Sequence, residues 1–208
     1  TVMQAIADRC DRTPGYPFID TKLDLLTGRD FPDDDPVRGK NAVYGWIQGR
    51  GLEALAGHCH WMRRRRAGSE LLRRLERILH DLIHALRDIR SRNAGHLAFF
   101  MDPDGVPFTL APNGNPQPVV LTADSPCGFS DLFSAKGMIA AARYLDNPDA
   151  EAEALDYCHR VNTAIWQGTF ESDQQPLDPK NPVRPVPGRH THGHYMIQIG
   201  AAALLADG

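Results

Sequence analysis

Apolar residues recur every three or four positions over two long segments, the spacing of one helix face. One segment starts at Asn41, a residue that can cap a helix, and continues to about Arg65. The other follows Ser69 and ends near Asn93 and Gly95, which suit a helix terminus. We therefore predict two long helices. Their apolar positions are Val43, Ile47, Ala54, Leu55 and Met62 in the first, and Leu71, Leu72, Leu75, Ile78, Leu79, Leu82, Ile83, Leu86 and Ile89 in the second.

Capping residues and apolar spacing predict four further helices. They comprise a short piece near the start (2–10) and the segments 130–144, 150–170 and 194–206. Asn147 and Pro148 suit the first turn of the third of these, because asparagine caps a helix and proline is tolerated at its first position. The last helix is apolar almost all round, so we expect burial on several sides, either by earlier helices or by further chain.

Two loops carry strand signals. Residues 18–25 alternate between apolar and polar, which predicts a short strand or hairpin. In 99–108, the turn sequence from Asp102 to Gly105 separates two apolar stretches and predicts a β-hairpin. No strand–helix–strand alternation is present, so the sequence predicts an all-α fold of paired antiparallel helices, with hairpins in the loops, in a single domain over 1–208.

Composition narrows the class of protein. The 208 residues carry a net charge of −3, which argues against a dedicated nucleic-acid binder. No apolar run reaches the roughly 20 residues of a membrane helix, and Thr1 to Asp11 lacks the layout of a signal peptide. The four cysteines form no CxxC pair, which favours free thiols in the cytoplasm, with two disulfides as the alternative.

The first candidate for chemistry lies between Lys40 and Glu53. Trp46 and Arg50 are four residues apart, so they share a helix face that is otherwise apolar. An arginine on such a face needs an acidic partner or an anionic or carbonyl ligand. The alternatives are a substrate contact and an ion pair with Glu53 or another acid. Three glycines nearby, Gly45, Gly49 and Gly51, indicate close helix packing or access to a cavity.

Two histidine clusters are weaker candidates. His190, His192 and His194 alternate, so they could face a metal, act as acid or base, or form the solvated start of a helix. The second cluster is His58-Cys59-His60-Trp61, in which His58 shares the apolar face of its helix and is interpreted as a core or interface histidine. The adjoining arginines, 63–66, form with Arg73, Arg74 and Arg77 an arginine-rich face. This face is expected to be solvated, since the run of four lies near a helix C-terminus, rather than to be a nucleic-acid patch.

From Lys40 to Arg50 the sequence resembles the N-acylglucosamine 2-epimerase family, which includes cellobiose 2-epimerases and aldose–ketose isomerases. The resemblance rests on Lys40 with Trp46-Ile-Gln48-Gly-Arg50, and on later segments in the same order: Phe99 to Gly105, Phe129 to Phe133, Ala141 to Tyr144, and His194 to Ile197. It implies an (α/α)6 barrel, of which six helices would form an incomplete ring, the N-terminal half of a longer domain.

The resemblance also implies an activity and its residues. Members remove the C2 proton of an open-chain sugar, form a cis-enediol(ate), and reprotonate it, with no metal or cofactor. Arg50 and His194 are the expected catalytic residues here; those expected to bind the sugar are Trp46, Gln48, Tyr44, His192 and Met196. The family's main proton-transferring histidines and a supporting glutamate lie in its second half. The expected partner is a small sugar, with neither nucleic acid nor membrane, and a homodimer or a C-terminal half would complete the ring.

Two other functions stay open at this point. One is a different (α/α)-barrel enzyme, a glycoside hydrolase or polysaccharide lyase, which would need an acidic pair or a tyrosine–histidine pair in its cavity. The other is a non-catalytic helical module that binds acidic partners through its arginine-rich face. An isomerase is the leading hypothesis, although a fold alone does not determine function.

Overall fold

A computed structural model describes residues 1–67, 69–173 and 192–206 of the chain. His190 and most of the proline-rich stretch after Ser172 lie outside the described residues. The described part is mostly helical, as expected. Its helices are α1 (Val2–Asp11), α2 (Gly45–Arg65), α3 (Ser69–Arg92), α4 (Phe129–Tyr144), α5 (Pro148–Gln167) and α6 (Gly193–Ala206).

A small antiparallel sheet accompanies the helices, so the all-α expectation holds only in its coarser form. Its strands, in spatial order, are β1 (Val43–Tyr44), β2 (Phe100–Met101), β3 (Pro107–Leu110) and β4 (Pro116–Pro118). The hairpin expected over 99–108 is confirmed as the β2–β3 pair, in which Phe100 lies opposite Phe108. Strands β1 and β4 were not predicted, because they are too short to carry a sequence pattern.

The strand expected over 18–25 was wrong, since this segment is irregular. Phe18 and Ile19 are nevertheless buried. The Ile19 backbone is paired by a side chain instead of by a strand: its N–H donates to Gln48 Oε1 (2.8 Å), and its carbonyl accepts from Gln48 Nε2 (3.0 Å). A buried loop is stable here because its backbone polar groups have partners.

The helix bounds follow local chemistry. Asn147 caps α5 by accepting from the Ala150 N–H (3.0 Å), and Gly168 ends that helix in the left-handed conformation. Helix α2 begins at Gly45 rather than at Asn41, because Val43 and Tyr44 pair with β2. The expected cap at Asn41 was therefore wrong, and the sheet sets the start of this helix.

Helix α4 lies at the centre of the helical packing and contacts α2, α3, α5 and α6, while α1 packs on α3. The α2–α4 crossing is close because it passes through Gly49 and Gly137. A Cβ atom on Gly137 would lie 2.0 Å from the Gly49 carbonyl oxygen, and one on Gly45 would lie 2.3 Å from the Ala98 oxygen. Gly45 and Gly49 of α2 thus serve close packing of backbone on backbone, whereas a Cβ atom on Gly51 would meet the Ile19 side chain.

Several arginines of α2 and α3 connect helices. Arg74 pairs with Asp8 and Asp11 of α1, each at 2.6 Å, and Arg77 also pairs with Asp11. Arg63 pairs with Glu76 of α3 at 2.6 Å. Much of the arginine-rich face is therefore engaged with acidic side chains of the same chain.

Helix α6 is buried on one side only. Ala201 is buried, whereas Tyr195, Met196, Ile199 and Leu205 are exposed. None of the described helices is long and apolar enough to cross a membrane. The four cysteines are free thiols.

Candidate functional site

The N-terminal half of α2 presents Arg50 beside a group of aromatic rings. Trp46, one turn earlier, stacks on Phe99 with ring centroids 6.2 Å apart and an angle of 9° between the planes. Phe133 of α4 completes the group, 6.0 Å from the Trp46 ring. The Arg50 guanidinium carbon lies 5.6 Å from the Trp46 centroid and 5.7 Å from that of Phe133. At these distances, cation–π attraction holds the cation over both rings.

The Arg50 side chain is exposed, and among the described residues no ion pair engages it. Glu53, the nearby acid that the alternative assigned to it, pairs instead with Lys136 of α4 at 2.8 Å. The guanidinium therefore keeps its hydrogen-bond donors available to a ligand, while the rings beneath fix its position. Such a group can bind a carboxylate, a phosphate or a polarised carbonyl oxygen.

Arg50 lines an open groove of about 1190 Å³ between α2 and α4, which we call the Arg50 groove. Its walls carry polar side chains from both helices, and Leu204 of α6 closes one part of it. The lining residues that matter for chemistry are Glu53, His58, His60, Trp61, Phe133, Lys136 and Arg143. Among the described lining residues, Arg50, Lys136 and Arg143 are cationic, and Glu53 is the single carboxylate. Cations therefore outnumber acids in the described lining.

Two histidines of the groove were not expected as site residues. His58 is exposed rather than part of the core, so the core interpretation was wrong. Its Nδ1 lies 2.7 Å from the Ala54 carbonyl oxygen, which can only accept, so Nδ1–H donates there. His60 is also exposed. Their position on the groove depends on how α2 meets α4, which helical spacing alone does not give.

Gln48 and Tyr44, both expected to bind the sugar, are engaged within the protein. Gln48 is 2% exposed, and both the oxygen and the nitrogen of its side-chain amide are hydrogen-bonded to the Ile19 backbone. The Tyr44 hydroxyl donates to the Val37 carbonyl (3.0 Å), and burial raises the pKa of Tyr44 to about 12. Both side chains therefore tie the segment before α2 to the start of this helix, the part that carries Trp46 and Arg50.

The predicted site residues of the last helix lie at its first turn. His192 and Met196 are exposed. His194 is half-buried, with its ring 5.4 Å from that of Phe170 and 4.0 Å from that of Tyr195. Burial, and secondarily the His192 charge, lower the pKa of His194 below its ordinary 6.5. This imidazole is therefore neutral at pH 7 and can accept a proton.

The predicted residues fall on two surfaces. Trp46 and Arg50 lie together, whereas His192, His194 and Met196 are not among the described residues that line the Arg50 groove. Sequence reasoning missed the contribution of Phe133, which stood in a recognised segment but carried no signal of facing Arg50. No family model matches the chain, and no curated protein matches it.

Proposed function

We propose that this chain belongs to a carbohydrate isomerase, a sugar 2-epimerase or an aldose–ketose isomerase. It acts on an open-chain sugar through proton abstraction at C2 and a cis-enediol(ate). The observation that carries the proposal is Arg50: an exposed guanidinium without an acidic partner among the described residues, held over two aromatic rings at the wall of a groove.

The chemistry requires a cation where negative charge develops. Removal of the C2 proton moves charge onto the carbonyl oxygen, and a preorganised donor lowers the barrier because it gains strength as that charge appears. Arg50 suits this role, since its guanidinium stays protonated at any working pH. Exposed aromatic surface, such as Trp61 in the same groove, gives a platform for the apolar face of a sugar.

The reaction also requires a base near neutral pKa. His194 is our candidate in this chain, because its lowered pKa keeps the imidazole neutral at pH 7. It lies outside the described lining of the Arg50 groove, whereas His58 and His60 line the groove itself. The further histidines implied by the family resemblance would take the other proton transfers. No step of this scheme calls for a metal ion or a redox cofactor.

The proposed architecture is an (α/α)6 ring in which α2, α4 and α6 form the inner layer. Two observations support it: α4 packs against both α2 and α6, and the Arg50 groove is lined by these three helices. The exposed apolar residues of α6 would face the rest of the ring, from a C-terminal half or a second copy.

The test is C2-proton exchange with solvent. The protein, expressed from its complete gene, is incubated in D2O with common aldoses and N-acyl sugars, and NMR follows deuterium at C2 together with the 2-epimer or ketose. Arg50→Lys should lower kcat at least tenfold, because lysine keeps the charge but loses the planar fork. The proposal is contradicted if the wild type exchanges the C2 proton of none of these sugars, or if Arg50→Lys leaves the kinetics unchanged.

A further inference from the structure

A buried polar cluster lies at the start of α4, away from the Arg50 groove. Its centre is Asp131, in the first turn of the helix. Its carboxylate accepts the backbone N–H groups of Leu97 and Gly128, each at 3.0 Å, and the Tyr157 hydroxyl. The same carboxylate lies 3.1 Å from Nδ1 of His96. The side chain is thereby fixed in one orientation.

Cys127 adds a sulfur atom to this cluster. One ligand atom each from His96, Cys127 and Asp131 lies within 4.8 Å of the other two. All three residues are buried, at 3%, 5% and 2% exposure. A nitrogen, a sulfur and an oxygen donor in one buried place form a mixed set that borderline divalent metals accept.

A second observation concerns the free side of the His96 ring. Its Nε2 atom is buried and has no hydrogen-bond partner among the described residues. His96 also lines a cavity of about 130 Å³, together with Asp131 and Asp173. A buried polar atom carries a desolvation cost unless it meets a partner, and none of the described residues supplies one to Nε2. The cavity has room for water molecules or another small ligand beside the ring.

We propose that His96, Cys127 and Asp131 bind a divalent metal ion of the Zn²⁺ class. The three residues supply nitrogen, sulfur and oxygen, and a water molecule from the adjoining cavity takes the fourth position. The metal lies where the His96–Asp131 hydrogen bond now runs, and the backbone donors of Leu97 and Gly128 keep the carboxylate oriented, as partners of metal ligands do.

The spacing suits this placement. Two metal–ligand bonds of about 2.0–2.1 Å at a tetrahedral angle separate their donor atoms by roughly 3.3 Å. The His96 nitrogen and the Asp131 oxygen are already 3.1 Å apart. The pair therefore needs to widen by only a few tenths of an ångström, and the Cys127 sulfur moves inward.

Protons balance in two steps. The Cys127 thiol releases its proton to solvent as the sulfur–metal bond forms. Nδ1 of His96 gives up its proton as the nitrogen–metal bond forms, and the ring carries that proton at Nε2 instead. The atom that now lacks a partner then becomes a donor to water in the cavity or to the Asp173 carboxylate, which lines the same cavity. The proposed change of tautomer thus gives Nε2 a hydrogen-bond partner.

Titration of the metal-free protein with Co²⁺ tests the proposal, because cobalt bound to a thiolate has a near-ultraviolet charge-transfer absorption that cobalt bound only by protein nitrogen and oxygen atoms lacks. We expect one site per chain with that band and a tetrahedral visible spectrum, and competition by Zn²⁺. Cys127→Ser should abolish the band, and His96→Gln should weaken binding at least tenfold. Circular dichroism checks that each variant folds.

The matched control is Cys158→Ser, which alters a cysteine that is also buried but lies outside the cluster. It should leave the titration unchanged. A wild-type titration without the thiolate band overturns the proposal, and this outcome needs no variant to fold. A band that survives Cys127→Ser, or that Cys158→Ser removes, overturns it as well.

Discussion

At the scale of single residues, Arg50 and Gln48 show that two residues of one short motif have different roles. Arg50 is exposed on the groove, whereas Gln48, two positions earlier, is buried against the loop at Ile19. Helical spacing predicts that the two side chains diverge, because residues two apart do not share a face. It does not predict the partner of Gln48, which lies 29 positions away along the chain.

Replacement of Gln48 should therefore cost stability. Gln48→Ala leaves the Ile19 N–H and carbonyl buried without partners, so we expect the free energy of unfolding to fall by about 2–4 kcal/mol, measured by urea denaturation. Gln167→Ala, at an exposed position near the end of α5, is the control and should stay within about 0.5 kcal/mol. Unchanged stability in Gln48→Ala, with a raised KM, would instead make Gln48 a sugar ligand.

His194 allows a prediction about pH. A base must be deprotonated to accept the C2 proton, so the rate should fall as pH drops through the pKa of His194. Burial lowers that pKa below 6.5, which places the acidic limb of kcat/KM below pH 6.5. Removal of the neighbouring charge in His192→Gln should raise the pKa and move the limb to higher pH. A limb that stays in place in this variant, or that persists in His194→Gln, would assign it to another group.

At the scale of elements, local signals predicted the helices better than the sheet. Helices α3 and α5 begin where expected because their caps and apolar spacing lie within a few residues of each other. Strand β1 has two residues and pairs with β2, more than fifty positions later, so only tertiary structure defines it. The same limit applies to the site: the Trp46–Arg50 contact followed from helical spacing, but the contribution of Phe133 required knowledge of the α2–α4 crossing.

The α2–α4 crossing gives the prediction at this scale. Gly137→Ala places a methyl group against the Gly49 carbonyl, and a backbone atom cannot move aside as a side chain can. We expect a loss of about 3 kcal/mol or more in thermal or urea unfolding. Gly57→Ala is the matched control in α2, since no atom lies within 4 Å of its added Cβ. It should stabilise the protein by about 0.5–1 kcal/mol, because alanine loses less freedom in a helix. Equal effects of the two changes would refute the close crossing.

At the scale of the whole molecule, the described residues that line the Arg50 groove suit one of the candidate reactions better than the other. The Arg50 groove offers a cation and aromatic surface, with the single described carboxylate already paired to Lys136. A glycoside hydrolase would need a second acid at this surface, which the described lining does not provide. An isomerase needs a cation and imidazoles, which the described residues do provide. This difference favours the isomerase hypothesis over the hydrolase alternative.

The last prediction concerns catalysis by residues 1–208 alone. The family resemblance implies that the principal proton-transferring histidines lie outside these 208 residues, so Arg50 and His194 alone would not complete the transfer of the C2 proton. We therefore expect a monomer of residues 1–208 to show no deuterium exchange at C2, measured by NMR across common aldoses and N-acyl sugars. Burial of the exposed α6 side chains would contribute about 1.5–3 kcal/mol for each large one, so self-association should be checked by sedimentation. Robust exchange by a monomer would contradict this expectation, and His58, His60 and His194 would then be the first residues to replace.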